Sequence, residues 1–163
     1  MTQESKKILV VDDDFSQRDL YSQVFADSGF IVITADDGQD AWEKLEKESV
    51  DLVFTGIDMP RMDGFKLVEK IRNKLETIMM PIIIFSHLGR DTDREKAKKL
   101  YNAHLMVKGY DSPAMILAKV KELLKGTEKP SSDAVTSQFS SHSPNAQQPP
   151  VDDEDDRPGN TMI

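Results

Sequence analysis

The stretch Asp51-Leu52-Val53-Phe54-Thr55-Gly56-Ile57-Asp58-Met59-Pro60-Arg61-Met62-Asp63-Gly64 passes from strand to turn to helix. Leu52–Phe54 is a short apolar run, the length and type of a buried strand. Met59-Pro60 breaks it, because proline fixes its own φ and pushes the preceding residue out of the helical region. Asp63-Gly64 fits a turn or a helix start. Beyond it Phe65, Val68 and Ile71 recur at helical spacing. At the end of the strand, where a side chain would face any site built on the sheet, stands Gly56.

The same alternation extends in both directions. Ile8–Val11, Phe30–Ile33, Ile82–Phe85 and Leu105–Val107 read as further buried strands. Ser16 is a plausible N-cap for a first helix, with Leu20, Val24 and Phe25 on one face and Ser28-Gly29 as its stop. Ala41 and Leu45 mark a second helix, and Ala97, Leu100 and Tyr101 a fourth. Ser112 as N-cap, Pro113 at the first helical position and Ile116, Val120, Leu123 and Leu124 define a fifth. Five strands, each followed by a helix, predict an α/β fold: a doubly wound, five-stranded parallel sheet covered on both faces. The flavodoxin-like order 2-1-3-4-5 is the natural one, with any site at the carboxyl ends of strands 1 and 3.

Composition narrows the function. The 163 residues carry a net charge of −8 and no cysteine. That charge disfavours nucleic acid or an anionic membrane as partner. Without cysteine there are no disulfides, no thiol catalysis and no Cys-based metal sites. Histidine stands only at 87, 104 and 142, which argues against a His-ligated transition metal. No apolar run is long enough to span a bilayer, and Ile8–Val11 is too short for a signal-peptide core. A soluble cytoplasmic protein is expected. Residues 126–163 read differently: five of the eight prolines, many Ser and Gln, and seven acids against two bases, which account for −5 of the charge. They are expected to be a disordered tail, leaving 1–125 as the folded domain.

Asp12-Asp13-Asp14 follows directly on the first strand. Carboxylates at a strand's carboxyl end can hold Mg²⁺, a hard ion that prefers oxygen ligands, but an acidic triplet alone favours a polar boundary that caps the next helix. Four motifs in order favour the first reading. Ile8-Leu9-Val10-Val11-Asp12-Asp13-Asp14, Met59-Pro60-Arg61-Met62-Asp63-Gly64, Pro81-Ile82-Ile83-Ile84-Phe85-Ser86 and Val107-Lys108 together resemble the response-regulator receiver domain of two-component phosphorelay signalling, over about residues 6–125. The resemblance implies an acidic Mg²⁺ pair at Asp12 and Asp13, with the main-chain carbonyl of Asp58 as a further ligand. It implies that Ser86 hydrogen-bonds a phosphoryl oxygen and that Lys108 pairs with the acceptor or the phosphoryl group. Phosphoryl transfer of this kind rests on positioning and charge neutralisation, yet it still needs a carboxylate nucleophile.

Four positions depart from the family pattern. Gly56 stands where the acceptor aspartate belongs, which removes the nucleophile and one Mg²⁺ ligand and leaves at most a weak metal site. Leu105 stands where an aromatic usually reports phosphorylation. Gly109 replaces the usual proline after the lysine, which makes a cis bond there unexpected. His87 follows Ser86, where a small residue keeps the mouth open.

The reading is therefore a pseudo-receiver, a non-enzymatic interaction module independent of phosphorylation. Its partner is a sensor kinase or another signalling protein. The contact face is that of the fourth helix, fifth strand and fifth helix, with Lys96, Lys98, Lys99, Lys119 and Lys121 as candidates. An alternative is a phosphorylatable receiver that uses Asp58 or another aspartate. A remote one is a haloacid-dehalogenase-type phosphatase, because Asp12-Asp13-Asp14-Phe15-Ser16 also fits Asp-x-Asp-x-Ser, with Lys108 and Asp111 as the downstream groups. Asp51 reads as a strand-entry residue, His87 and His104 as packing or surface residues, and Trp42 as a partly buried packing residue.

Overall fold

In the computed structural model, which describes residues 4–87 and 90–125, five strands form one parallel sheet in the order β2-β1-β3-β4-β5. The elements are β1 (Lys7–Val11), α1 (Phe15–Asp27), β2 (Ile31–Ala35), α2 (Gly38–Lys47), β3 (Leu52–Thr55), α3 (Gly64–Arg72), β4 (Ile82–Ser86), α4 (Asp91–Tyr101), β5 (His104–Val107) and α5 (Pro113–Lys125). The expected class and strand order are those observed. The tail at 126–163 and the side chain of Leu100 lie outside the described residues.

The register brings Val11 level with Thr55, Thr55 with Ile84 and Ser86 with Val107, so the strands end together on one edge. Alternation along the central strands feeds two cores. Leu9, Val11, Val53, Ile82 and Ile84 face α2, α3 and α4 through Ala41, Leu67, Val68, Ile71 and Ala97. Ile8, Val10, Leu52, Phe54, Ile83 and Phe85 face α1 and α5 through Tyr21, Phe25, Ile116, Val120 and Leu124. Burial on both faces is why these strands are continuous apolar runs. The second core is aromatic at its centre: the Tyr21 ring lies 5.0 Å from Phe54 and 4.9 Å from Phe85.

Three expectations need correction. The cap of α1 is Asp14, not Ser16: the Asp14 carboxylate accepts from the Ser16 and Gln17 amides. With the helix starting at Phe15, its inner face is Tyr21 and Phe25, four residues apart, and Leu20 is 45 % exposed. The outer strands are also less buried than the central ones. β2 opens on an exposed Ile31, and β5 is half-buried throughout, because each pairs on one edge only. Asp51 does mark strand entry, and it also ties two strands: its carboxylate accepts from the Lys7 amide at 2.7 Å.

The other caps come from short polar side chains. Asp37 accepts from the Asp40 amide at α2, Asp63 from the Lys66 amide at α3, and Ser112 from the Met115 amide at α5. Arg72, at the end of α3, donates to the carbonyls of Tyr101, Asn102, Thr77 and Ile78, tying the end of α4 to the α3–β4 connection. Burial lowers the pKa of its guanidinium. No helix among the described residues is long and apolar enough to cross a membrane.

Candidate functional site

The aligned strand ends open into a cleft of ≈ 240 Å³, lined by Asp12, Asp13, Gly56, Asp58, Ser86 and Lys108 among others. It lies where the strand order reverses between β1 and β3, the crevice in which open α/β sheets bind ligands. The sequence-derived site residues are thus brought together, but not as equals.

Asp12 is 4 % exposed and fully engaged. One carboxylate oxygen accepts from the Asp14 amide at 2.9 Å, and the other is 3.0 Å from Lys108 Nζ. Its carbonyl accepts from Arg18 at 2.7 Å. The Lys108 side chain is only 12 % exposed, and its ammonium also sits over the Phe85 ring at 5.4 Å. A partly buried lysine and a buried aspartate therefore neutralise each other on the cleft floor. Asp13 points outward and is exposed, as is Asp58 at the rim. Ser86 is buried, and its carbonyl accepts from the Lys108 amide at 2.8 Å, which fixes the lysine's backbone. The triplet at 12–14 thus divides: Asp12 pairs with lysine, Asp13 faces solvent and Asp14 caps a helix.

Gly56 is integrated through its backbone alone. Its amide donates to Val11 O at 2.9 Å, and its carbonyl accepts from Thr55 Oγ1 at 3.0 Å. A Cβ there would meet Asp12 Oδ2 at 3.7 Å and Phe85 O at 3.9 Å, ordinary contacts, so the fold does not require glycine at this point. Gly64 is the opposite case. A Cβ there would fall 1.9 Å from the Gly56 carbonyl oxygen, so the turn closes only on glycine.

The departure at Gly109 has a backbone basis. Its φ is +84°, a region closed to proline, and no cis peptide bond occurs among the described residues. The turn is shut by Asp111, whose carboxylate accepts from the Val107 amide at 2.6 Å. Asp111 and Asp14 thus both accept from nearby backbone amides. Leu105 packs half-buried against the α2–α4 core, with no aromatic ring to reorient. His87 is exposed at the cleft. His104 is half-buried, and its pKa is lowered first by burial, then by Lys119. Trp42 packs against the same core as Leu105, with Lys70 and Lys74 over its ring at 5.2 and 5.7 Å.

The donor set fits Mg²⁺ poorly. A third carboxylate is missing at 56, Asp12 already holds the lysine, and among the described residues no group of three or more His, Cys, Asp or Glu could hold a metal. Mg²⁺ needs oxygen ligands to replace the waters it gives up reluctantly, and among the cleft-lining carboxylates Asp12 is already paired while Asp13 and Asp58 are exposed.

Fold and cleft together define a signalling receiver module: a doubly wound sheet with an acidic first-strand end, a hydroxyl at the fourth and a lysine at the fifth. The model of the response regulator receiver domain matches residues 8–121, and the chain belongs to that family, the receiver domains of two-component signalling. It is 34 % identical over 124 residues to the alkaline phosphatase synthesis transcriptional regulatory protein PhoP of Bacillus subtilis, covering 76 % of this chain and 50 % of PhoP. It is 32 % identical over 121 residues to the regulatory protein VanRc of Enterococcus gallinarum, covering 74 % and 51 %. The chain thus spans about half the length of these curated relatives. Among solved structures it resembles the chemotaxis response regulator CheY4 of Vibrio cholerae (TM-score 0.69, 28 % identity, 74 % of this chain and 99 % of that one). It also resembles the Francisella response regulator 1452 receiver domain (TM-score 0.71, 26 % identity, 76 % and 100 %). Receiver domains act through protein partners such as kinases or effectors, and they are generally non-enzymatic.

Proposed function

We propose that this chain is a receiver module, folded over 1–125, that signals by protein contact without phosphorylation at position 56. One observation carries the reading. The acceptor position is a glycine the backbone does not need, and the lysine that would meet a phosphoryl group is already buried against Asp12 at 3.0 Å. The floor is neutralised from within, so a phosphoryl group has no nucleophile to join at position 56 and no unpaired cation to meet on the floor. Mg²⁺ binding is weak for the same reason. The module is non-enzymatic and cytoplasmic.

The contact face is α4, β5 and α5. Lys98, Lys99 and Lys121 stand exposed on it, whereas Lys96 lies over the Phe65 ring at 4.2 Å and Lys119 pairs with Glu122 at 3.6 Å. Tyr110, 77 % exposed, and Met115, 49 % exposed, add apolar surface where α5 begins. Such aromatic and apolar anchors among positive charges suit an acidic signalling partner, a sensor kinase or another receiver-binding protein.

A second reading has its own observation: Asp58 is exposed and lines the same cleft. Incubation with a small phosphodonor and Mg²⁺, followed by intact mass and acid-lability analysis, separates the two. We expect no adduct on the wild type; a single, acid-labile acyl-phosphate adduct mapped to Asp58 would establish the second reading. A paired titration with Mg²⁺ and a phosphoryl mimic should leave the wild type silent and respond in Gly56→Asp, whose new Cβ has room. A silent mutant would show that the pocket has changed beyond position 56.

A further inference from the structure

The connection between β3 and α3 carries Ile57 and Asp58, one wall of the cleft, and is held to a different part of the fold than the cleft floor. Asp37, the cap of α2, is 4 % exposed. Its two carboxylate oxygens take a two-point contact from Arg61, Nε at 2.8 Å and the terminal nitrogen at 3.1 Å. The same carboxylate accepts from the Asp40 amide at 2.9 Å. Next to it the Gly38 amide donates to the Met62 carbonyl at 3.1 Å, and a Cβ on Gly38 would fall 2.4 Å from that oxygen. At the far end of the connection the Gly64 amide donates to Ile57 O at 2.8 Å. Arg61 sits at φ +64°, a left-handed conformation that costs an L-residue free energy unless its surroundings hold it there.

We propose that Arg61 and Asp37 form a latch that holds the β3–α3 connection in one conformation, whatever occupies the cleft. The left-handed backbone at 61 aims the side chain back across the connection. A planar guanidinium matches both oxygens of a carboxylate fixed by its own cap bonds. Because Asp37 is buried and immobilised as a helix cap, the freedom lost on pairing is that of the Arg61 side chain, which is 57 % exposed. The connection is thereby fastened at three places: Gly64 to Ile57, Met62 to Gly38, and Arg61 to Asp37. In consequence the wall formed by Ile57 and Asp58 is set by α2, not by a ligand, and the cleft presents one shape to partners. The latch stands whether or not Asp58 accepts a phosphoryl group, so its test is independent of the functional reading above.

Hydrogen–deuterium exchange of the full chain, without phosphodonor, tests it. Arg61→Gly relieves the left-handed backbone while removing the latch, so the two contributions move in opposite directions. If the latch holds the connection, the amides of Gly38, Met62 and Gly64 exchange about tenfold faster in R61G, the scale of one lost charge-assisted contact, with the sheet amides unchanged. Arg61→Lys, which keeps the charge but loses the two-point geometry, falls between. Unchanged or slower exchange in R61G would overturn the proposal, because the backbone alone would then be holding the connection. Should R61G also expose the sheet amides, Asp37→Asn reads the same contact, since it keeps the cap oxygen and loses the charge. Faster exchange confined to the connection supports the latch there, and unchanged exchange overturns it.

Discussion

The cleft floor and the turn beside it are built on opposite principles. On the floor, at Gly56, the backbone tolerates a side chain and none is present. In the turn, at Gly64, the backbone forbids one, because the Gly56 carbonyl oxygen lies where its Cβ would be. The two glycines are eight positions apart and in contact through that oxygen, yet one is a chemical departure and the other a steric requirement. The fold needs its turn residues for packing whether or not any phosphoryl chemistry takes place. At position 56, by contrast, a side chain would meet only ordinary contacts, so packing does not dictate the residue there.

The sharpest way to break this comparison is to add one methyl group at each site. Gly64→Ala must push two backbone segments apart and should cost about 4 kcal/mol. Gly56→Ala should fall within about 1 kcal/mol of the wild type, toward stabilisation, because it restricts the unfolded chain without a native clash. Denaturant unfolding of both variants measures the difference; equal losses would mean that the fold needs both glycines.

A second test concerns the floor itself. Lys108→Ala strands the buried Asp12 carboxylate without its cation and should cost about 3 kcal/mol. Asp12→Asn alongside it should recover part of that loss, and the double-mutant cycle measured by thermal or denaturant unfolding gives the coupling. If the double variant is no better than the single, the pair is not what stabilises the floor.

The smallest expected effect is one of pH, in the latch. Burial pushes the Asp37 carboxyl up, but the Arg61 hydrogen bond, the Asp40 and Gln39 amides and the Arg61 charge outweigh it, leaving the pKa below its ordinary 3.8. A carboxylate with a depressed folded pKa contributes stability that is fully present above the unfolded value and is lost as pH falls through the folded one. Stability should therefore decline below about pH 4, with a shallower decline in Asp37→Asn. Chemical denaturation from pH 6 to 2.5 compares the slopes; parallel curves would remove Asp37 from the acid response.

Much of this could be read from residue order. Apolar runs at 8–11, 52–54 and 82–85 are uninterrupted because both sheet faces bury them, so their strand character needed no tertiary information. Asp63 and Ser112 were readable as helix starts for the same local reason. Asp14 was less so: Asp12, Asp13, Asp14 and Ser16 are all polar enough to cap, and the cap is settled only by where the first strand stops. Leu20 fits a core position by spacing, but the helix is capped two residues earlier than expected, at Asp14 rather than Ser16, and turns Tyr21 inward instead. The contacts of Arg72 with the Tyr101 and Asn102 carbonyls left no local pattern, since these partners lie about thirty positions away, and the bond from the Val107 amide to Asp111, four residues apart, depends on the turn at Gly109. A cap signal existed for Asp37 in the pair Asp37-Gly38; none pointed to Arg61.

Residue order by itself determined that this chain is a doubly wound receiver and that no carboxylate stands at position 56, because strand periodicity, turn chemistry and the absence of a side chain are local properties. Tertiary structure alone decided what became of the residues around that position. Lys108 and Asp12 lie far apart in the chain and meet only because β1 and β5 both end at the carboxyl end of the parallel sheet, where burial leaves each charge the other as its partner.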